Sequence, residues 1–461
     1  MKPQTIIALN RFGLGARPGD FDRVGNDYRQ WLLDQLKGPA RTAGPLAALP
    51  DSATVLREVN RLRQALRASR SDPAISEDRT TVRSYGKTVR AHYLDQVNAR
   101  YANAAQTDNP FFERLVLFWS NHFAVSADKQ PLPAIAGVFE NEAIRQHAGA
   151  RFYDMLLAVE KHPAMLLYLD NHSSIGPASP VGQRSQARQG ARFKGLNENL
   201  AREILELHTL GVDGGYSQQD VTNFARVITG WSIGGRGAKG DPGVFTFRSA
   251  VHEPGAHEVL GKRYAQRGVE QGEAVLQDMA AHPATARHLA GKLARHFVAD
   301  APPPALVDHI AKAYRDSDGH LPTVHAALVD GVDASQPANA KYKTPQDFFI
   351  STLRALERPP RDGQWAVNAL DFLGQRPFQP GSPAGWPDTA EQWGGADALY
   401  KRIEWSGTLT RQLRRDVDPV ALGDAVLGDA FTDEARTIVS RAESVSQGMT
   451  LLLASPDFQR R

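Results

Sequence analysis

The 461 residues contain no cysteine, and that absence excludes disulfides, zinc–thiolate sites, iron–sulfur clusters and thiol nucleophiles together. The compartment stays open, because reducing and oxidising environments both tolerate a chain without thiols. Long apolar runs are missing too, and no stretch approaches the ~18 uninterrupted apolar residues that a membrane helix needs. The apolar run at residues 6–9 is too short for the core of an export signal and is followed directly by Asn10 and Arg11, which reads as cytoplasmic. Excess charge of one sign is scarce: 54 basic against 51 acidic side chains leave a net charge of +3, which demands no polyanionic partner. Apolar residues make up 41% of the chain, enough for a substantial core.

Those apolar residues recur mostly at helical spacing. In NPFFERLVLFWSNHFAVSADK, residues 109–129, positions 115–119 are apolar on every side, which predicts a central helix buried all round. Residues 55–104 are rich in Arg and Gln with thin apolar content, and predict two exposed, arm-like helices around a break. His162, before Pro163, divides a helix pair. Residues 171–190, full of Ser, Gly, Pro and Gln, read as a loop. Strand-like content is confined to GVFTFRS and HEVLGKRY. The fold class expected is therefore mainly α: a single large multi-helix domain with a small β hairpin or excursion near residues 240–265. Within it, charged helices occupy about 55–104, a central helical core about 111–235, the β excursion about 236–264 and a C-terminal helical part about 268–461.

NENLAREILELHTLG, residues 197–211, crowds polar groups into a short helix. If Asn197 caps it, Asn199, Arg202, Glu203 and Glu206 share one arc, and Leu196, Leu200, Ile204 and Leu207 the next. An exposed face explains part of this, since Glu198, Arg202 and Glu206 are each four apart and support one another. Glu203 borders the apolar arc, however, where a carboxylate is partly desolvated and suited to acid–base work. Asn121 and His122 stand among Phe118, Trp119 and Phe123, and buried polar groups require partners. Packed together, the two helices would form an Asn-His-Glu-Arg network.

Ser217 and Asp220 are spaced as a capping box for a helix with Val221, Phe224, Ala225 and Ile228 on one face. Its outline is that of a DNA-reading helix pair, but Asn223 and Arg226 are too thin a supply of base-reading groups. GLGARPG, residues 13–19, lacks the Lys-Ser/Thr ending of a phosphate loop and reads as a turn that places Arg11 and Arg17. There is no Gly-x-Ser-x-Gly elbow, which speaks against a serine hydrolase.

The succession LNRFGLGARPGD, FFERLVLFWSNHFAV, PAMLLYLDN, NENLAREILELHTLGVDGGYSQQDV, HPATARHLAGKLARHFV, KTPQDFFISTLRAL, LGQRPFQPGSPAGWPD and LLLASPDFQRR resembles the bacterial domain-of-unknown-function family 1800 over about residues 6–461. The resemblance implies a large, mostly helical bacterial protein. Many such proteins carry export signals or are encoded beside exported hydrolase-like proteins, so a periplasmic or secreted setting is the alternative to the cytoplasm. The polar positions of the family's motifs land on Arg11, Asn121, His122, Asn199, Arg202, Glu203, Glu206, His208 and His252, and on the GWPD turn at residues 385–388. His257 stands where other members tend to carry lysine. In the GWPD turn Trp386, with Trp393 nearby, is either a plug over the core or a platform for a flat ligand such as a sugar ring.

These readings place an enzyme of carboxylate acid–base chemistry first, a hydrolase or lyase acting on a small molecule or on a polymer such as a glycan. Its catalytic residues would be Glu203, Glu206, His122 and Arg202, with Arg11, Asn121, Asn199, His252 and Trp386 binding substrate. Carboxylates three apart on one helix sit close for an inverting hydrolase, so Asp170 is a further candidate partner. The alternative is a non-catalytic helical binding or assembly module whose network only fixes packing. A second alternative is a metal-dependent hydrolase or oxidase using His122, Glu203, Glu206 and His172 or His252. No HExxH is present, and the 197–211 helix has no Glu-x-x-His. No cofactor is therefore predicted, a divalent metal is the lesser expectation, and neither nucleic acid nor membrane insertion is expected.

Overall fold

Pro110 opens the central helix, Pro110–His122, at a position where its missing N–H and fixed φ are no handicap. Phe111, Leu115, Val116 and Trp119 in it are wholly buried, as the all-round apolar run predicts. Its charged residues are paired in the interior: Glu113 meets Arg145 at 2.7 Å and Arg114 meets Asp347 at 2.9 Å. The structure, a computed structural model, describes residues 3–38, 44–71, 79–187, 195–235, 240–241, 243–332, 340–412 and 417–461.

Among the described residues, 24 α-helices and two antiparallel two-stranded sheets make the fold mainly α. Trp231–Ile233 pairs with Phe245–Phe247, and His257–Val259 with Lys262–Tyr264, so the β excursion lies where its strand-like residues indicate and begins slightly earlier. One continuous cluster of buried apolar side chains runs from Ile6 to Phe458. No helix among the described residues is long and apolar enough to cross a membrane. His162 divides its helix pair as expected, with its Nδ1 accepting from the Ala164 N–H at 3.1 Å. The same device recurs at His282 and Ala284.

Two expectations need correction. The charged region forms Ser52–Ser71 and Arg79–Gln106, but the second helix is no exposed arm, because Val89, Tyr93, Val97, Tyr101 and Ala105 are buried. These five recur every fourth residue, and the Arg, Asn and Gln filling the other faces dilute the average without removing the stripe. Residues 171–190 are not all loop either, since they hold the short turn Asn171–Ser173 and the helix Pro180–Gln186. The Ser179 hydroxyl caps that helix by accepting from Gly182 N, a Ser-Pro start that the turn-rich composition conceals.

The glycine-rich turn after Phe12 is gripped by its carbonyls. Arg114 Nε donates to Gly13 O, and Arg354 Nε donates to Gly15 O at 2.7 Å. Gly15 has φ +98°, and a Cβ there would lie 2.7 Å from the Ser351 Cβ, so no other residue fits. This is the reverse of a phosphate loop, which offers N–H groups rather than carbonyls. At the other end, Lys341 and Arg461 exchange backbone hydrogen bonds of 2.9 and 2.7 Å, which holds the last residues against 341–343.

The buried Glu113–Arg145 pair yields a prediction. Arg145→Met strands a buried carboxylate and should lower unfolding free energy by about 3–5 kcal/mol, whereas Glu113→Gln combined with Arg145→Met should lose clearly less. Urea denaturation of the three proteins checks this; equal losses in the single and double variants would contradict it.

Candidate functional site

The 197–211 segment begins as expected, with Asn197 Oδ1 accepting from the Asn199 N–H at 2.9 Å. Its helix, Asn199–Glu203, then widens into a π turn, Ile204–His208. An angular step of about 100° per residue does not survive that widening, and the expected arc breaks after Glu203. His208 turns into the core, where its Nδ1 lies 2.8 Å from Glu160 Oε1 with both side chains at most 1% exposed. Glu206 stays half-buried and accepts a long hydrogen bond of 3.4 Å from the Tyr216 hydroxyl. Arg202 bonds Glu198 at 3.2 Å and Gln218 at 2.9 Å, and Asn199 is exposed. Glu203 is half-buried; burial raises its carboxyl above the usual range, and the Glu206 and Glu160 carboxylates add to this against His208 and Arg202. Burial and the Glu203 charge together push the Tyr168 phenol up to about 12.

The two helices do meet, but through main chain. His122 Nε2 donates to the His208 carbonyl oxygen at 3.2 Å, and its Nδ1 has no partner. Arg202 and Glu203 take no part in that contact, so the expected four-residue network is not formed. Instead the helix Pro283–Phe297 sets His288, Lys292 and His296 four residues apart in sequence along the central helix. The His288 ring lies 6.2 Å from that of His122, and the His296 ring 5.3 Å from that of Phe118. His288 Nε2 donates to Leu207 O at 3.2 Å. Burial keeps the His122 imidazole well below its ordinary pKa and pushes His288 down to about 4, with Lys292 adding to both shifts. Burial also lowers the Lys292 amine to about 8.

Asn121, one residue earlier, serves a different region. Its Nδ2 donates to Trp386 O at 2.9 Å and its Oδ1 accepts from the Trp386 N–H at 2.7 Å, which clamps the GWPD turn to the central helix. Gly385, at φ +83°, passes so close that a Cβ would lie 2.3 Å from the Asn121 carbonyl oxygen. Between helix and turn is a cavity of about 60 Å³ whose walls include Arg114, Asn121, His296, Arg376, Trp386 and Asp388. His296 Nδ1 lies 2.6 Å from Asp388 Oδ2, while His296 Nε2 has no partner. Asp388 Oδ1 is 3.8 Å from both Lys341 Nζ and Arg461 Nη2. Trp386 is half-buried, 6.1 Å from the buried Trp393 ring, whose Nε1 donates to Pro387 O at 2.8 Å.

Of the residues selected from sequence, Asn121 and Trp386 come together at this cavity, and His122 lies across the helix from them. Arg11 is buried, its carbonyl accepting from Arg461 Nη1 at 3.4 Å, and burial followed by the Arg461 charge lowers its guanidinium to about 10. His252 Nδ1 donates to Thr229 O at 2.9 Å, beside the Phe247 ring. Neither is part of the cavity lining. His296, Arg114 and Arg376 were missed. The His288–Lys292–His296 spacing in HPATARHLAGKLARHF was readable as a polar stripe, but its pairing with Asp388, 92 residues away, was not. Among the described residues, no group of three or more His, Asp or Glu is arranged to hold a metal ion.

The buried imidazoles predict acid sensitivity. A His288 held at about 4 when folded and near 6.5 when unfolded takes up its proton in the unfolded state first. Unfolding free energy should therefore fall as pH drops from about 6.5 to about 4. His288→Gln should flatten that slope in urea titrations at stepped pH, and an unchanged slope would refute the assignment.

No curated protein and no solved structure matches the chain. A family model does, over residues 7–460 and thus nearly every element described above, and by that match the chain belongs to the family described as Protein of unknown function (DUF1800).

Proposed function

We propose that this protein is an acid–base enzyme, a hydrolase or lyase acting on a glycan or related polymer, with its reaction centre in the cavity between the central helix and the Trp386 turn. The observation that carries the reading is His296, with Nδ1 held 2.6 Å from Asp388 and Nε2 left without a partner. A carboxylate on one ring nitrogen fixes the tautomer and leaves the other to exchange a proton with substrate. Burial lowers the His296 imidazole while Asp388 opposes that shift, so near neutral pH the ring serves as a base. Asn121 is a positioning residue, because its double hydrogen bond holds the Trp386 turn. The half-buried Trp386 offers an apolar face to a sugar ring.

A second reading keeps the chemistry at Glu203, favoured by the raised pKa of that half-buried carboxyl beside the His208–Glu160 pair. A protonated Glu203 would there supply the acid. Turnover on a panel of polysaccharides and aryl esters separates the two. His296→Gln and Asp388→Asn should each lower kcat by about 10²–10⁴-fold with Glu203→Gln near wild type. The reverse pattern moves the reaction to Glu203. Absence of turnover by the wild-type protein across the panel would favour the helical binding or assembly module instead.

A further inference from the structure

Positive charge is in excess around the cavity. Arg100, Arg114 and Arg376 line it against Asp347 and Asp388. Most of these charges are spoken for: Arg100 meets Glu140 at 2.8 Å, Arg114 and Arg461 each meet Asp347 at 2.9 Å, and Lys341 engages Asp300. Behind them Lys343 has no carboxylate within ion-pair distance among the described residues, and its ammonium lies 3.9 Å from the Phe458 ring centre. Burial pushes that amine down to about 7, and Arg114, Arg402 and Arg461 add to the shift although Asp347 opposes it. Arg114 is likewise lowered to about 10, by burial and then by Arg461, with Asp347 opposing. Burial is the first cause of both shifts and the neighbouring arginines only add to it, so it is the three wall arginines that would favour an added anion.

One cation on the wall, Arg376, hydrogen-bonds a neutral hydroxyl, that of Tyr93, and has no ion-pair partner among the described residues. It is exposed. Its planar fork matches a carboxylate in two-point geometry, which an ammonium does not. The cavity, about 60 Å³, admits one small charged group or a few waters and not a whole ring. A ring attached to that group would remain outside, against the half-exposed Trp386.

We infer that the cavity takes the carboxylate of an acidic sugar, the repeat of an acidic polysaccharide, with Arg376 receiving that group and Trp386, at the mouth, the face of the ring. This rests on the glycan reading above and narrows it to acidic glycans. Arg376 is then the specificity residue: it selects the substrate's charge, while His296 and Asp388 move the proton.

The test is calorimetric titration of the full chain with trigalacturonic acid, a hyaluronan tetrasaccharide and cellotriose. An acidic oligosaccharide should bind at least about tenfold more tightly than cellotriose, and added sodium chloride should shrink the difference. Arg376→Gln should remove about that tenfold preference and leave the cellotriose affinity unchanged, in a protein that still unfolds cooperatively in urea. Equal binding of neutral and acidic sugars, binding of none of them, or an unaltered preference in Arg376→Gln overturns the proposal. The two readings fail separately. Full turnover in His296→Gln with the acidic preference intact would remove the proposed reaction centre and leave the recognition of acidic sugars standing.

Discussion

Asp347 is the point on which the rest of the structure depends. Burial alone would raise its carboxyl, yet Arg114 and Arg461 hold it far below the usual range, each within 2.9 Å. Through Arg114 it ties the helix Pro345–Ala355 to the central helix and to the carbonyl of Gly13. Through Arg461 it ties in the final residues, themselves paired with 341–343. A second buried arginine repeats the pattern: Arg354 engages Asp20 at 3.1 Å, Gly15 O at 2.7 Å and Ala104 O at 3.2 Å. Desolvated charges of this kind are costly when stranded and indifferent in hydrophobic bookkeeping. Their worth here is geometric, because each guanidinium joins segments hundreds of residues apart.

A central helix pinned in this way presents consecutive residues to different neighbours. Asn121 and His122 are separated by about 100° of helical rotation. The first clamps the Trp386 turn, and the second reaches the π turn that ends in His208. Each neighbourhood contains an imidazole–carboxylate pair, His296 with Asp388 and His208 with Glu160. They differ in access. His208 and Glu160 are sealed in the core, which suits a role in holding the helices together, whereas His296 borders the cavity. The same helix therefore carries packing on one side and the proposed chemistry on the other.

Local patterns in the chain foretell much of this architecture. The buried helix at 110–122, the capping box of Ser217 and Asp220 and the break at His162 all form as spacing requires. Each is a matter of a few adjacent residues, where periodicity and capping chemistry suffice. The long helix Arg79–Gln106 shows the limit, since its buried stripe is visible only once averaging over Arg and Gln is set aside. The Ile204–His208 turn shows another, because a change from α to π geometry rotates every later side chain and carries no compositional mark.

The sequence by itself determined a mainly α chain, a central apolar helix with Asn121 and His122 at its end, and a Trp-Pro-Asp turn near the C-terminus. Helical period and turn chemistry are local and need no knowledge of what packs where. Only the tertiary structure decided that Asn121 closes on Trp386, that His122 meets a carbonyl in place of Glu203, and that His296 joins Asp388. Those contacts span from 86 to 265 residues. Their partners are chosen by how the buried arginines draw distant segments around the central helix, a constraint that acts across the fold and leaves no periodic trace along the chain.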